Sequence, residues 1–342
     1  MKLSVAPWTL DDADCPDVYF TAGYGMAAAV AKHGRWEALH VEDRLLLPYV
    51  VTETGDGHLD AASPYGYAGI HVAPGSTEHD VAQFWRLVQE HWRDMGLVAM
   101  FFRFSPFEPV VTLDGVRTTH SGDTVTVPID GDADALWDGM EGRSRTAIRK
   151  ARSLGCTATV RPARATDLHG GSSFRVLYEQ TMRRVGSKAG YLFGDTYYVK
   201  LLDGLGPSLL IAEVFSEAGG VCAAALVLRH RDRVHYHLAG SDLGAAGRGA
   251  NNLLLWTVLR WAAGSGARLV HLGGGLRADD NLFKFKRSFG GRRTPFRTGA
   301  VVVDKGAYDK LVERRAAACG RSPGELVGTG YFPAYRVGSE LI

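Results

Sequence analysis

Apolar residues in this chain recur with two periods, near 3.6 and near 2, and the switches between them mark out elements. From Thr77 to Met95 the period is helical, with Val81, Phe84, Trp85, Val88 and Trp92 on one side and Gly96 placed as a C′ glycine. Val98–Phe104 is continuously apolar and predicts a buried strand that Ser105-Pro106 stops. Upstream, residues 14–40 read as a loop carrying Tyr19, Phe20 and Tyr24, then an alanine-rich helix ending near Lys32. Leu39–Thr52 alternates as two strand-like pieces broken at Pro48, and Ser63-Pro-Tyr-Gly-Tyr-Ala-Gly69 is a turn. This first part predicts strands wrapped around helices, an α+β pattern.

Thr124–Ile129 predicts another strand, followed by Asp130–Met140, whose Asp130, Asp132 and Asp134 suit a helix N-terminus. Ser144 starts a basic helix ending near Leu154, with Gly155 as its cap. Strand Ala158–Arg161, helix Ser172–Val185 and a further helix reaching Leu205 come next. Leu209–Phe215 and Val221–Arg229 are strands joined by the hairpin Glu217–Gly220. A strand from Arg233 to Gly240, a glycine-rich turn Gly244–Gly249, an apolar helix Asn251–Ala263 and a strand Arg268–Leu272 then make a βαβ unit with a right-handed crossover. Glycines before a helix let backbone approach a ligand, and the helix start offers N–H groups. The pattern therefore suggests an anion- or carbonyl-binding corner with lysines close behind, although an ordinary βαβ turn carries the same glycines. Strand Val301–Val303, helix Tyr308–Ala318 and the aromatic end Tyr331–Tyr335 close the chain.

Composition narrows the function without naming it. The 342 residues suggest about two domains, and 46% hydrophobic with 22% charged residues fits globular cores. A net charge of +2 confines any nucleic-acid contact to a local patch. Cys15, Cys156, Cys222 and Cys319 are widely separated with no CxxC pair, and the twelve histidines show no HExxH. His235 and His237 alternate on one strand face without a third ligand, so no metal is expected. Met1–Trp8 lacks the pattern of a signal peptide and no apolar run is long enough to span a membrane, so the expected location is the cytoplasm, with a peripheral membrane contact left open.

The order hairpin, strand, glycine turn, helix, strand resembles the GNAT fold of N-acyltransferases. Several motifs are similar to those of Fem-type aminoacyltransferases, which carry two GNAT-like domains in one chain. These are the basic helix Arg143-Ser-Arg-Thr-Ala-Ile-Arg-Lys-Ala151 with Gly155, Thr181-Met-Arg-Arg184, Tyr236-His-Leu-Ala-Gly-Ser241, and Leu272-Gly-Gly-Gly275 followed by Phe285-Lys286 and Phe289-Gly290. The resemblance implies an α/β (α+β) class with mixed sheets flanked by helices: a GNAT-like domain over 1–142, a second over 143–300, and a tail over 301–342 expected to return to the first. It implies transfer of an amino acid from aminoacyl-tRNA to an amine of a small-molecule or cell-wall-precursor acceptor, with no resident cofactor and no DNA partner. Acyl-CoA-dependent N-acylation of an amino sugar or metabolite is the alternative, and non-catalytic binding of a nucleotide-linked ligand is a third reading. The chain departs from the family in lacking its long helical hairpin and in carrying Ser63–Gly69 where relatives often have Arg-Gly-Pro. The acyl-CoA signature is not intact either, since Arg248 falls inside Gly244–Ala250.

Ester-to-amide transfer needs a deprotonated amine, donors for the oxyanion and aligned substrates. By resemblance, splayed backbone at Leu238–Ser241 would offer the donors, so Ser241 and the adjacent Asp242 count with Lys286 as catalytic. Lys286 would stabilise the oxyanion or the leaving ribose oxygen; as a surface lysine beside Lys284 and Arg287 it would do neither. Asp242, Asp279 and Asp280 are candidate bases or ordinary turn residues. Arg184 resembles an arginine holding acceptor phosphate, or is a helix C-terminal cation. Tyr236 resembles a substrate-lining tyrosine, or is core. Tyr65 and Tyr67 in their glycine loop, Arg103 at a strand end and Asn281 complete the expected substrate-binding set. Arg145, Arg149 and Arg152 share one helix face and, with Lys284, Arg287, Arg292 and Arg293, form the expected tRNA surface, or a solvated charged face.

Overall fold

Local chemistry explains where the elements begin. In the computed structural model, which describes residues 2–6, 14–42, 44–55, 57–275 and 277–338, the N-terminal stretch Met1–Trp8 lies partly outside the described residues. The chain runs through β1 (Ser4–Ala6), α1 (Ala22–Ala31), β2 (Arg35–Val41), β3 (Leu45–Glu53), β4 (Leu59–Ala62), β5 (His71–Val72), α2 (Glu78–Asp94) and β6 (Leu97–Arg103). Thr77 caps α2 and Asp80 answers from the third helical position, a full capping box. Next come β7 (Arg117–Pro128), α3 (Ala133–Asp138), α4 (Gly142–Ser153), β8 (Thr157–Pro162), α5 (Ala165–Leu168), α6 (Ser173–Arg184) and α7 (Asp195–Leu205). The rest is β9 (Leu209–Phe215), β10 (Val221–His230), β11 (Arg233–Ser241), α8 (Leu243–Gly247), α9 (Ala250–Gly264), β12 (Leu269–Gly274), α10 (Asn281–Arg287), β13 (Arg292–Val302), α11 (Lys305–Cys319) and α12 (Pro323–Gly328). Among the described residues no helix is long and apolar enough to cross a membrane.

The chain forms two compact units, Met1–Ser121 with Phe296–Ile342, and Gly122–Pro295. The sequence expectation placed its first boundary at residue 142; residues 122–142 instead cluster with the second unit.

In the first unit the strand order is β1-β2-β3-β4-β6-β13, with β5 on β3. β4 and β6 are parallel. Phe84, Trp85, Val88 and Trp92 of α2 are buried with Leu47, Tyr49, Met100 and Phe102. Burial of each such side chain is worth roughly 1.5–3 kcal/mol. Ala307, Leu311, Val312 and Ala316 of α11 form a separate cluster with Val98 and Ala99. Asp60, 3% exposed, accepts from Tyr335 Oη at 3.1 Å and from Arg336 Nε at 2.5 Å. The expected break at Pro48 is absent: Pro48 sits inside β3 opposite Ala38. It lies between the stretches of β3 that pair with β5 and β4, where a missing N–H is tolerated.

In the second unit the order is β7-β12-β11-β10-β9-β8. β11 and β12 are parallel, and their neighbours are antiparallel. Helix α9 links β11 to β12 and buries Leu253, Leu254, Leu255, Val258 and Leu259 in the core of the unit. Residues 281–290, to which the apolar pattern assigned no element, begin with helix α10, capped by Asp280, whose carboxylate accepts from Phe283 N at 2.8 Å. β7 and β13 are longer than expected because their polar ends, Arg117–Ser121 and Arg292–Arg293, are exposed and show no apolar alternation.

Candidate active site

β11 and β12 are neighbours only briefly. Their register covers Arg233↔Leu269, Val234↔Val270 and His235↔His271 and then ends. β11 continues to Ser241 alongside β10, while β12 turns to β7, reaching Gly274↔Thr124. Both strands are irregular here: one extra residue enters β11 between the Leu226↔Leu238 and Val227↔Tyr236 pairs, and one enters β12 between His271 and Gly273. Bulges bend strands and raise their twist, which accounts for the parting. The opening therefore begins at Tyr236, two residues before the expected Leu238–Ser241 segment.

Ser241, Thr181 and Arg184 meet at the end of β11. Ser241 N donates to Thr181 Oγ1 at 3.1 Å, and Ser241 O accepts from Arg184 Nη2 at 3.3 Å. Arg184 also donates to Thr181 Oγ1 at 3.2 Å. Gly240 permits this approach, because a Cβ there would lie 2.4 Å from the backbone of Leu177 and Tyr178 in α6. Sequence reasoning missed that requirement; a glycine within an otherwise apolar strand was its signal.

Lys286 is 8% exposed, near the end of α10, and its Nζ donates to Gly274 O at 2.7 Å. Burial pulls its ammonium down to about 8, with Asp280 opposing. Lys284 lies two positions earlier and is exposed, as are Arg287 and Asn281. Asp280 caps α10, and a Cβ on Gly275 would meet its Oδ1 at 2.2 Å, so the glycines let the cap close against the strand end. Asp279 forms an ion pair with Arg293, which also pairs with Asp123 at 2.9 Å.

The other candidates separate. Asp242 caps α8, accepting from Ala245 N at 2.8 Å, so the expected open glycine corner is a short helix with that donor already engaged. Tyr236 packs against the core cluster and burial pushes its phenol well up. His237 faces Tyr197 Oη at 3.1 Å, and burial followed by repulsion from His235 lowers its imidazole to about 3, so the ring is neutral. His235 meets His271 at 3.2 Å, a pairing set by strand register. Among the described residues no group of three or more His, Cys, Asp or Glu could hold a metal ion.

The basic face is partly structural. Arg145 donates to the carbonyls of Trp137 at 3.3 Å and Asp138 at 3.1 Å, and to that of Met140, closing the end of α3. Arg149 and Arg152 lie over the Trp137 ring at 5.3 and 5.9 Å. Arg143 donates to Lys284 O at 3.3 Å, and Arg292 is exposed. In the first unit, Arg103 lies 5.7 Å over the Tyr65 ring, and Tyr65 O accepts from Tyr24 Oη. Tyr67 packs edge-on to Tyr19 and Phe296.

Two parted parallel strands, with buried Lys286 held at the end of one of them, form the candidate site. Residues 141–287 match the family model described as an acetyltransferase (GNAT) domain, so this segment is a GNAT-type acyltransferase domain. The fold of the chain is similar to that of FemX, at 14% identity over 90% of this chain and 99% of that one, with a TM-score of 0.67. It is also similar to the C-terminal domain (DUF2156) of a putative lysylphosphatidylglycerol synthetase from Agrobacterium fabrum, at 14% identity, 86% and 94% coverage and a TM-score of 0.54. L-PGS from Bacillus licheniformis shares 15% identity over 82% of this chain and 88% of that one, with a TM-score of 0.53. No curated protein sequence matches the chain. The expected resemblance to Fem-type GNAT proteins therefore holds at the level of fold.

Proposed function

We propose that this chain transfers an amino acid from aminoacyl-tRNA to an amine on a small-molecule or cell-wall-precursor acceptor. The observation that carries the reading is Lys286: a buried lysine tied to the end of β12, on one of the two strands that part. In this reading the acceptor amine attacks the ester carbonyl carbon and a C–N bond forms. The C–O bond to the ribose then breaks. The amine loses one proton, to water or a carboxylate, and the ribose oxygen gains one. Lys286, lowered to about 8 by burial, is charged at neutral pH, stabilises the developing oxyanion and can supply the proton to the leaving oxygen. Arg184 and Thr181 hold the end of β11 in place, and Arg184 is the residue offered to acceptor phosphate. The fold likeness to FemX supports this reading, as do the solved structures related to lysylphosphatidylglycerol synthetase.

The test is incubation of the full chain with charged tRNA pools and candidate amine acceptors, read by mass spectrometry. The expected product carries an added aminoacyl mass and disappears when the tRNA is digested with RNase beforehand. A product that forms from acyl-CoA and ignores RNase would replace this reading with the acyl-CoA alternative.

A further inference from the structure

The first unit by itself holds a cleft that the transfer chemistry does not use. It encloses about 750 Å3 where the end of α1, the end of β3 and helix α11 meet. Ligand pockets typically span roughly 300–1,000 Å3. The cleft opens beside Thr52–Gly55, at the Leu59 end of β4. Ser63–Gly69, the loop that carries Tyr65 and Tyr67, follows the other end of that strand.

Its walls are chemically uneven. Lys32, Arg35, Arg314, Arg315 and Arg336 line it, against Glu53. The acids behind them are engaged: Asp60 with Arg336 at 2.5 Å, and Glu37 with Arg35 at 2.7 Å. Even with those two carboxylates counted, basic side chains outnumber acidic ones five to three. Arg315 donates through Nε to Val337 O at 2.9 Å, which fixes the direction of its guanidinium. Burial first, and repulsion from Arg103 second, bring the Lys32 ammonium down to about 8. Val51, Leu311 and Ala318 make an apolar wall on the same cleft. A cation cluster in a concave site suits an anion, an arginine fork suits phosphate oxygens, and an apolar wall suits an organic body.

We propose that this cleft binds a small phosphate-bearing ligand, with Lys32 and Arg315 on the phosphate and the Val51–Leu311–Ala318 wall against its organic part. The lining shares no residue with Lys286, Arg184, Ser241 or Asp242, and the proposal does not depend on the function proposed above. The phosphate could come from an organic phosphomonoester or from the free ion, and the test separates them.

Glucose 6-phosphate and inorganic phosphate are each titrated calorimetrically into the full chain, with a short single-stranded RNA as a third arm. Saturable binding of glucose 6-phosphate at one site per chain is expected, and inorganic phosphate should bind at least tenfold more weakly because it lacks the organic body. Lys32→Met and Arg314→Glu should each weaken binding at least tenfold, while Lys32→Arg retains it. Arg314 is exposed, so its variant keeps the fold, checked by its melting temperature, and decides the matter if Lys32→Met does not fold. The proposal is overturned if neither phosphate binds at millimolar concentration, or if only the RNA binds. It is equally overturned if phosphate binding ignores both cleft substitutions and is lost in Arg184→Ala.

Discussion

Two glycine-rich corners of the second unit look alike in sequence and differ in structure. At Gly244–Gly249 the chain turns helical as α8, with Ala245 N held by Asp242, and the N–H groups of Arg248 and Gly249 held by Ala245 O and Ala246 O. Gly249, at φ +92°, lies so close to α4 that a Cβ would sit 2.2 Å from Ala147 O. These glycines serve packing. At Gly273–Gly275 the strand end faces Asp280 and a buried lysine, and Gly274 O accepts from Lys286 Nζ. These glycines bring a buried lysine and a capping carboxylate to a strand end. Glycine content alone therefore marks close approach of backbone; what approaches decides whether the corner is a site.

The sharpest test of that difference is Lys286→Ala. Removing one stabiliser of transition-state charge costs on the order of 100-fold or more in rate. The expected outcome is a fall of that size in kcat, acceptor affinity within a few-fold of the parent and an intact circular dichroism spectrum. Lys284→Ala, on the exposed side of α10, should change kcat by less than about threefold, as surface charges usually do. Equal and mild effects would make Lys286 a buried structural lysine.

The opposite corner should fail in the opposite way. Gly249→Ala places a side chain in a left-handed backbone position and against Ala147 O, so it should lower stability by about 1–3 kcal/mol or more. Gly247→Ala, with nothing within 4 Å of the added Cβ, should be neutral or slightly stabilising. Thermal melting of both variants checks this. A Gly249→Ala protein that melts normally yet loses activity would turn the first corner into a site and erase the contrast.

A pH profile gives a smaller effect with a definite sign. Burial disfavours the charged form of Lys286 and brings it down to about 8, so the ammonium dominates below that pH and is lost above it. If the cation acts, transfer rate should fall above pH 8 by about tenfold per unit, and Lys286→Arg should remove that limb because arginine stays charged. A rate that rises through pH 8 would make Lys286 a base instead.

Much of this corner was legible because it is local. The apolar run of α9, the strands beside it and the motif ending in Lys286 all lie within a few dozen residues, and periodicity reads such segments well. The helical start of 281–290 was missed, although Asp280 three residues before Phe283 is a capping signal. The His235–His271 contact depends on parallel register, which no single segment encodes. Asp60 and Arg336 meet across 276 positions of sequence, and the cleft above them was invisible for the same reason. The parting of β11 and β12 rests on two bulges, and neither leaves a mark in hydrophobic spacing.

The smallest expected effect concerns the basic residues around these corners, where one set is structural and another exposed. Arg145 closes α3 through carbonyls, so Arg145→Ala should lower stability by about 1 kcal/mol, the usual worth of such hydrogen bonds, whatever the protein binds. Lys284 and Arg287 are exposed on α10, beside Lys286 in sequence. If tRNA docks there, each contributes to phosphate neutralisation, and the salt dependence of binding records how many such contacts form. Lys284→Glu with Arg287→Glu should weaken tRNA binding and reduce the slope of log K against log salt by about 2, roughly one per lost phosphate contact. Melting temperature should stay within a degree or two, because neither side chain is buried. Filter binding at several salt concentrations reads the slope. An unchanged slope would leave α10 as a solvated charged face and move any tRNA contact elsewhere, while Lys286 would keep or lose its role on the kcat measurement alone.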